Sequence, residues 1–267
     1  MNILETIIAA KKLEVESRKK EIPIRQLEQS PWFQQTIPSL RRSLQQPGTN
    51  GIIAEFKRKS PSKGIIHANA DAKEITRAYA AGGASGISVL TDTTFFGGSW
   101  TDLEAAVGWG VPVLRKDFII DEYQLIEARA HGAAVILLIA ACLTPTAVKQ
   151  LAEAARMLGL EVLLELHDQA ELGHIHPSVT LVGINNRNLK NFEVNLQHSI
   201  ELAAQIPAEF PAIAESGIDS VETILQLQSA GFSGFLMGEY FMKQDNPGAS
   251  FLQFSQVLQN ARNVTEN

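Results

Sequence analysis

The sequence predicts a (β/α)8 TIM barrel carrying an N-terminal helical extension, and three observations make that prediction. After Gly51 eight short apolar runs alternate with longer amphipathic stretches. The runs are continuous and rich in Val, Ile and Leu, the texture of parallel strands covered on their outer face. Several helical stretches end in a small-residue turn immediately before the next run. An open doubly wound sheet is the chief rival. It is disfavoured because no run leads into G-x-G-x-x-G and because eight even units close naturally.

Residues 1–50 make the extension, expected to pack on the barrel mouth, and residues 51–267 the catalytic barrel, one domain overall. In the extension Ile3, Leu4, Ile7, Ile8, Lys11, Lys12 and Val15 recur at helical spacing, which predicts an amphipathic helix ending before Pro23. Its Lys/Glu run from Lys11 to Glu21 reads as a solvated face. A short polar helix is expected over 25–34 and a third beginning within 38–42, before the breaker cluster Pro47-Gly48-Thr49-Asn50-Gly51.

The strands are expected at 52–57, 86–90, 111–116, 134–140, 161–166, 181–185, 212–215 and 234–237. Helical patterns run over 72–81, 123–130, 146–158, 221–229 and 250–261, with a short fifth helix ending near His174 and His176. Thr144-Pro145 is a good helix start, and Asp219 sits where a cap would open the helix over 221–229. The turns Gly82-Gly83-Ala84, His131-Gly132-Ala133, Leu158-Gly159 and Ala230-Gly231 close the preceding helices.

Composition narrows the function. The 267 residues are 45% hydrophobic and 19% charged, enough to bury a sizeable core. A formal charge of −6, with no block of five like charges, argues against a nucleic-acid or anionic-membrane partner, since both need a basic footprint. The longest apolar run, Ala133 to Leu143, is 11 residues and too short to span a bilayer. Glu5 interrupts the N-terminal apolar stretch, so it does not read as a signal peptide. The single cysteine, Cys142, fits a reducing cytoplasm, the expected location.

In a parallel barrel the active site forms where the strands end. The runs here end in Glu55-Phe56-Lys57, Thr91-Asp92, Arg115-Lys116-Asp117-Phe118, Glu165-Leu166-His167, Asn185-Asn186-Arg187, Glu215-Ser216-Gly217 and Gly238-Glu239. Any one charge could be a structural ion pair, Lys57 with Glu55 or Lys116 with Glu165. Charge at so many strand ends favours a shared site. Lys57, Lys116 and Arg187 suit an anionic small-molecule substrate; Glu55, Glu165 and Glu215 supply acid–base capacity. The glycine turns after the last two strands stand where barrels hold phosphate. By contrast, Gly82-Gly83-Ala84-Ser85-Gly86 precedes a strand and reads as a plain turn, and neither the histidines nor Cys142 has the company a metal or nucleophile needs.

Ile53-Ala54-Glu55-Phe56-Lys57-Arg58-Lys59-Ser60-Pro61-Ser62 resembles the signature of the indole-3-glycerol phosphate synthase family, the ring-closing decarboxylases of tryptophan biosynthesis. The likeness continues through Ser88-Val89-Leu90-Thr91-Asp92, Leu114-Arg115-Lys116-Asp117-Phe118, Leu164-Glu165-Leu166-His167-Asp168, Gly183-Ile184-Asn185-Asn186-Arg187-Asn188-Leu189, Ala214-Glu215-Ser216-Gly217-Ile218 and Phe235-Leu236-Met237-Gly238-Glu239. It covers essentially the whole chain.

The resemblance implies Lys116 as general acid, Glu165 as its acid–base partner and Lys57 at the substrate carboxylate or in the dehydration. It implies Glu55, Asn185 and Glu215 as orienting groups, and Ser60, Phe118 and Arg187 lining the pocket. Ser216, Gly217, Gly238 and Glu239 would hold the phosphate. Tyr240-Phe241 departs from the family's Ser-Leu, which bears on packing beside that loop. The implied reaction changes no oxidation state at a carrier, so no cofactor and no metal are expected. A lysine acid is expected to have its pKa drawn toward neutrality by burial or by Lys57. Loop 60–64 and the N-terminal helix are candidates to close the mouth. A monomer or weak homodimer is expected. The alternatives are a Schiff-base aldolase using Lys116 or Lys57, and a catalytically silent sugar-phosphate-binding barrel.

Overall fold

The computed structural model describes residues 3–187 and 193–265. Its centre is a closed barrel of parallel strands. These are β1 (Ile52–Phe56), β4 (Gly86–Leu90), β5 (Val113–Lys116), β6 (Val135–Ile139), β7 (Glu161–Leu166), β8 (Leu181–Asn185), β9 (Ala212–Glu215) and β10 (Phe232–Met237). Each pairs with its neighbour in sequence, and β1 closes the ring against β10 with Ile53 opposite Leu236. A two-stranded hairpin, β2 (Lys59–Ser60) and β3 (Gly64–Ile65), stands on the loop after β1.

The runs expected at 52–57 and 134–140 are trimmed to Ile52–Phe56 and Val135–Ile139, and three further strand and cap expectations shift, each for a local reason. The third run begins at Val113 because Pro112 has no N–H for the ladder; its carbonyl still accepts from Ile87 N at 3.0 Å. The last strand starts at Phe232, since a register shift between Phe232 and Gly234 hides the start of the run from a reading by hydropathy. Ser220, not Asp219, caps the helix over Val221–Ser229, its Oγ accepting from Thr223 N at 3.1 Å.

The helices are α1 (Ile3–Glu21), α2 (Ile24–Leu27), α3 (Leu40–Gln45), α4 (Ala72–Ala81), α5 (Thr93–Phe96), α6 (Trp100–Ala106) and α7 (Glu122–Ala130). They continue with α8 (Pro145–Met157), α9 (Leu196–Ala203), α10 (Val221–Ser229), α11 (Glu239–Met242) and α12 (Pro247–Thr265). The stretch 25–34 splits into α2 and a 3₁₀ turn at Pro31–Gln34, because Pro31 cannot continue a helix. The expected short fifth helix is a 3₁₀ turn, Gln169–His174. No helix among the described residues is long and apolar enough to cross a membrane.

Side chains alternate across each strand. Ile52, Ala54 and Phe56 pack outward with the helices, whereas Ile53, Leu137, Ile139, Leu163, Leu181, Ile213 and Leu236 fill the interior. Leu40 and Leu44 of α3 join that inner cluster and close the end of the barrel opposite the strand C-termini. Glu161, the first residue of β7, fixes α3 there: its Oε2 accepts from Leu40 N at 2.8 Å and Arg41 N at 3.1 Å, and Ser39 Oγ donates to its Oε1. One expectation fails on α1. Lys11 is not solvated but 1% exposed, beneath the helix against Asp92 and Asp117.

Because Leu40 plugs the barrel floor, Leu40→Ala should lower unfolding free energy by about 2–5 kcal/mol. Urea denaturation of the variant beside wild type measures the loss. A change under about 1 kcal/mol would show that the floor collapses around the gap.

Candidate active site

The alternation that buries Ile53 turns Glu55 and Lys57 into the mouth, and the same parity brings up Lys116, Glu165, Asn185 and Glu215. Glu55, Glu165 and Glu215 are buried, and Lys116 lies half-buried between them. Its Nζ is 3.7 Å from Glu165 Oε2 and 3.6 Å from Glu215 Oε2. Lys57 Nζ donates to Glu55 Oε1 at 2.6 Å, and Ser88 Oγ donates to Glu55 Oε2 at 3.5 Å. Asn185 Nδ2 donates to Glu165 Oε1 at 3.3 Å.

Two glycines make room for these carboxylates. A Cβ on Gly183 would fall 2.2 Å from Glu215 Oε1, and one on Gly238 would fall 2.7 Å from Glu55 Oε1. Gly183 in β8 and Gly238 just after β10 thus lack a side chain where the neighbouring strand places a carboxylate.

The charges set one another's protonation. Burial alone would lower the Lys116 pKa, but Glu165, then Glu215 and Glu55, outweigh it and hold the group above the ordinary lysine range. The expected drift toward neutrality is thus reversed, because three carboxylates face this lysine. Burial opposes ionisation of Glu165 as well, yet Lys116 and then His167 hold it below the usual carboxylate range. Glu215 goes the other way: burial, then the neighbouring Glu165, push it up to about 8. Burial and Glu165 thus favour the protonated form of this carboxyl beside Lys116.

His167 extends the system outward. Its Nε2 is 3.2 Å from Glu165 Oε1 and its Nδ1 3.7 Å from Glu171 Oε2, ion-pair distances without a well-aligned hydrogen bond on either nitrogen. Burial lowers its pKa, but Glu165 and Glu171 outweigh burial and raise it to about 10. His174 instead meets backbone oxygens, Glu171 O at 3.0 Å and Leu143 O at 2.9 Å. Cys142, on a 3₁₀ turn after β6, has its thiol pushed up to about 12 by burial and by Glu165 and Glu171, so it stays protonated and inert.

Around this floor stand two different walls. On the polar side Arg187 reaches across the mouth, donating from Nη1 to Ser62 Oγ at 3.2 Å while its Nη2 lies 3.5 Å from Glu239 Oε2. Lys63 meets the other oxygen of Glu239 at 3.5 Å. Ser216 holds a left-handed backbone, φ 69°, followed by Gly217 at φ 68°, where a Cβ would strike Val194 Cγ1 at 2.4 Å. On the apolar side Ile3, Leu4 and Ile7 of α1 meet Phe96 and Phe118, whose ring centroids are 6.0 Å apart.

Every residue to which the resemblance gives a role lines this one cavity of about 320 Å3, namely Lys57, Lys116 and Glu165; Glu55, Ser60, Phe118, Asn185, Arg187 and Glu215; and Ser216, Gly217, Gly238 and Glu239, whereas Thr91, Asp92, His167 and Asn186 at the strand ends do not. Asn188 and Leu189, also quoted in the resemblance, lie outside the described residues. The sequence places the N-terminal helix over the mouth, Tyr240 beside the phosphate loop and His167 at a strand end, but gives no site role to Ile3, Leu4, Ile7, Phe96 or His167 individually. Helical spacing flags Ile3, Leu4 and Ile7 as an apolar face without naming Phe96 and Phe118 as the side chains it faces. Tyr240 lines the cavity while Phe241 is fully buried among Tyr79, Phe251 and Phe254, so the departure from Ser-Leu is absorbed by an aromatic cluster.

The family model for indole-3-glycerol phosphate synthase matches residues 4–254. A relative of that name from Bacteroides thetaiotaomicron is 47% identical over 259 residues, 97% of this chain and 99% of its own. Another from Burkholderia vietnamiensis is 43% identical over 253 residues, 93% of this chain and 97% of its own. Among solved structures, the tryptophan synthase subunit alpha from Legionella pneumophila superposes with a TM-score of 0.60 at 12% identity, covering 84% of this chain and 98% of that one. The thiamine phosphate pyrophosphorylase from Pyrococcus furiosus does so with a TM-score of 0.60, also at 12% identity, covering 83% and 98%. At that identity the two structures speak to the fold alone.

His167 has a testable titration. Its folded pKa, about 10, exceeds the ordinary 6.5, so its stabilisation is full below pH 6.5 and fades as pH rises toward 10. Denaturation at several pH values in that window should show wild type losing stability relative to His167→Asn as pH increases. Parallel curves for the two proteins would contradict a protonated His167.

Proposed function

The chain belongs to the indole-3-glycerol phosphate synthase family, and we propose that its barrel mouth converts 1-(2-carboxyphenylamino)-1-deoxyribulose 5-phosphate to indole-3-glycerol phosphate, CO2 and water. The observation that carries the reading is Lys116, a charged ammonium flanked by Glu165 and Glu215 on the floor of a cavity with one polar and one apolar wall.

In this reading the polar wall takes the phosphate, through the turn at Ser216 and Gly217 and the backbone at Gly238 and Glu239. The Glu239 carboxylate is held aside by Lys63 and Arg187. Phe118 and the apolar wall take the anthranilate ring, with Ser60 and Arg187 at the rim. Lys57 exchanges its partner Glu55 for the substrate carboxylate. The ring carbon bearing that carboxylate then bonds to the ketone carbon. The carbonyl electron pair moves to oxygen, which takes a proton from Lys116. An alkoxide is a stronger base than an amine, so the proton moves downhill even from a lysine of raised pKa. Glu215, whose pKa is raised by burial and by Glu165, stands next to Lys116 to restore it.

Loss of CO2 returns the bonding pair to the ring and restores aromaticity. Dehydration then needs one proton delivered to the departing hydroxyl and one removed from the adjacent carbon. Lys57 and Glu165 serve those two transfers, while Asn185 orients Glu165 and Glu55 orients Lys57. No electrons leave the substrate for a carrier, so the route calls for no cofactor. The reading further assigns the protein to the cytoplasm, where a single thiol such as Cys142 stays reduced, acting as a monomer or weak homodimer.

A continuous fluorescence assay for indole-3-glycerol phosphate tests the reading. Wild type should make product, and a folded Lys116→Ala should lose about 10²–10⁴-fold in kcat. Borohydride with substrate should trap no adduct. An adduct on Lys116 or Lys57 would favour a Schiff-base aldolase, and no product from folded wild type a silent barrel. Gly183→Ala, which drives a methyl into the Glu215 carboxylate, should cost about 10²-fold in kcat/KM at nearly unchanged fold. Full activity in that variant would remove Glu215 from the machinery.

A further inference from the structure

Helix α1 carries a buried charge for which ring closure has no use. The Lys11 ammonium lies 2.9 Å from Asp92 Oδ2, 3.0 Å from Asp117 Oδ1 and 2.8 Å from Glu14 Oε2. Burial would lower its pKa, but Asp117 and Asp92 outweigh burial and keep it charged. Each aspartate governs a loop that forms the apolar wall. Asp92 Oδ1 caps α5, accepting from Phe95 N at 2.7 Å and Phe96 N at 3.3 Å. Asp117 follows Lys116 directly, and its Oδ1 accepts from Phe118 N at 2.8 Å. Its Oδ2 is held by Thr91 Oγ1 at 2.6 Å and Arg115 Nη2 at 3.0 Å. One turn before Lys11, Ile7 faces the same cavity as Phe96 and Phe118.

Three chain segments distant in sequence thus meet at one ammonium, and all of them line the cavity. The rest of α1 has its own anchors. Arg18 pairs with Glu127, and Lys19 Nζ lies 2.7 Å from Asp121 Oδ2. Losing the Lys11 charge would therefore leave the helix attached but put two buried carboxylates together with one cation fewer, and the loops they cap would relax.

We propose that Lys11 is a positioning residue: its ammonium locks α1 and the loops bearing Phe96 and Phe118 into a single wall that sets the fit of the substrate's aromatic half. This rests on the functional reading above. Contacts to the unreacting part of the ring are alike in ground and transition states, so their loss appears in KM and not in kcat.

The variants are Lys11→Met, which keeps the buried stem without charge, Lys11→Arg, which keeps the charge, and Asp92→Asn, which keeps the helix cap and drops the ion pair. Lys11→Met should raise KM about tenfold or more with kcat within about threefold of wild type, Lys11→Arg should restore most of the KM, and Asp92→Asn should fall between. Partial unfolding of a variant lowers apparent kcat but not KM, and if Lys11→Met does not fold, Asp92→Asn decides. Unchanged KM in both, or a loss confined to kcat, overturns the proposal. Hydrogen exchange judges the wall without substrate: the amides of Phe95, Phe96 and Phe118 should exchange about tenfold faster in Lys11→Met, or in Asp92→Asn if the former does not fold. Unchanged protection also overturns it. A folded wild type that makes no product overturns the functional reading and the role in fit, while the exchange result still decides the lock.

Discussion

Lys116 stands between more carboxylates than it can neutralise, and much of the mouth follows from that imbalance. A buried carboxylate needs a cation or a proton. With Glu165 held as an anion by Lys116 and His167, and Glu55 by Lys57 and Lys116, Glu215 is left to keep its proton. The site is therefore charged and protonated in a defined pattern before any ligand arrives. The bare positions at Gly183 and Gly238 belong to the same constraint, because carboxylates this close to the barrel axis need the space a side chain would fill.

The two walls are built in different ways. The polar floor stands on strand ends, held by the sheet ladder itself. The apolar wall is assembled from pieces far apart in the chain: α1, the loop after β4 and the loop after β5. Such a wall needs a fastener, and the protein uses buried ion pairs where a hydrophobic contact would be cheaper but would not fix a unique arrangement.

Much of this was legible in the sequence. The strand runs stood out because both faces of the barrel strands are buried and so read as unbroken Val, Ile and Leu. The charged residues stood out because, Glu161 apart, they interrupt those runs toward their C-terminal ends. The protonation pattern was not legible: Lys116 looks like a lysine awaiting a lowered pKa until the fold brings Glu55, Glu165 and Glu215 around it from three other strands. Lys11 was misread for a similar reason. In a run of Lys and Glu it is indistinguishable from Lys12, and only the docking of α1 over Asp92 and Asp117 separates the buried from the exposed member. The helix α5 leaves no periodic signal because it is a single turn held by its Asp92 cap, too short for a period to register.

The plug of Leu40 and Leu44 makes the barrel a blind vessel. Apolar side chains pack its interior from that floor up to the charged layer, which among the described residues leaves the mouth as the way in and out. In the proposed reaction one molecule enters and three leave, all by the same opening. Carbon dioxide and water, formed at the bottom, have to pass around the phosphorylated product while it is still held at the rim. The single mouth has to let small products pass a large one.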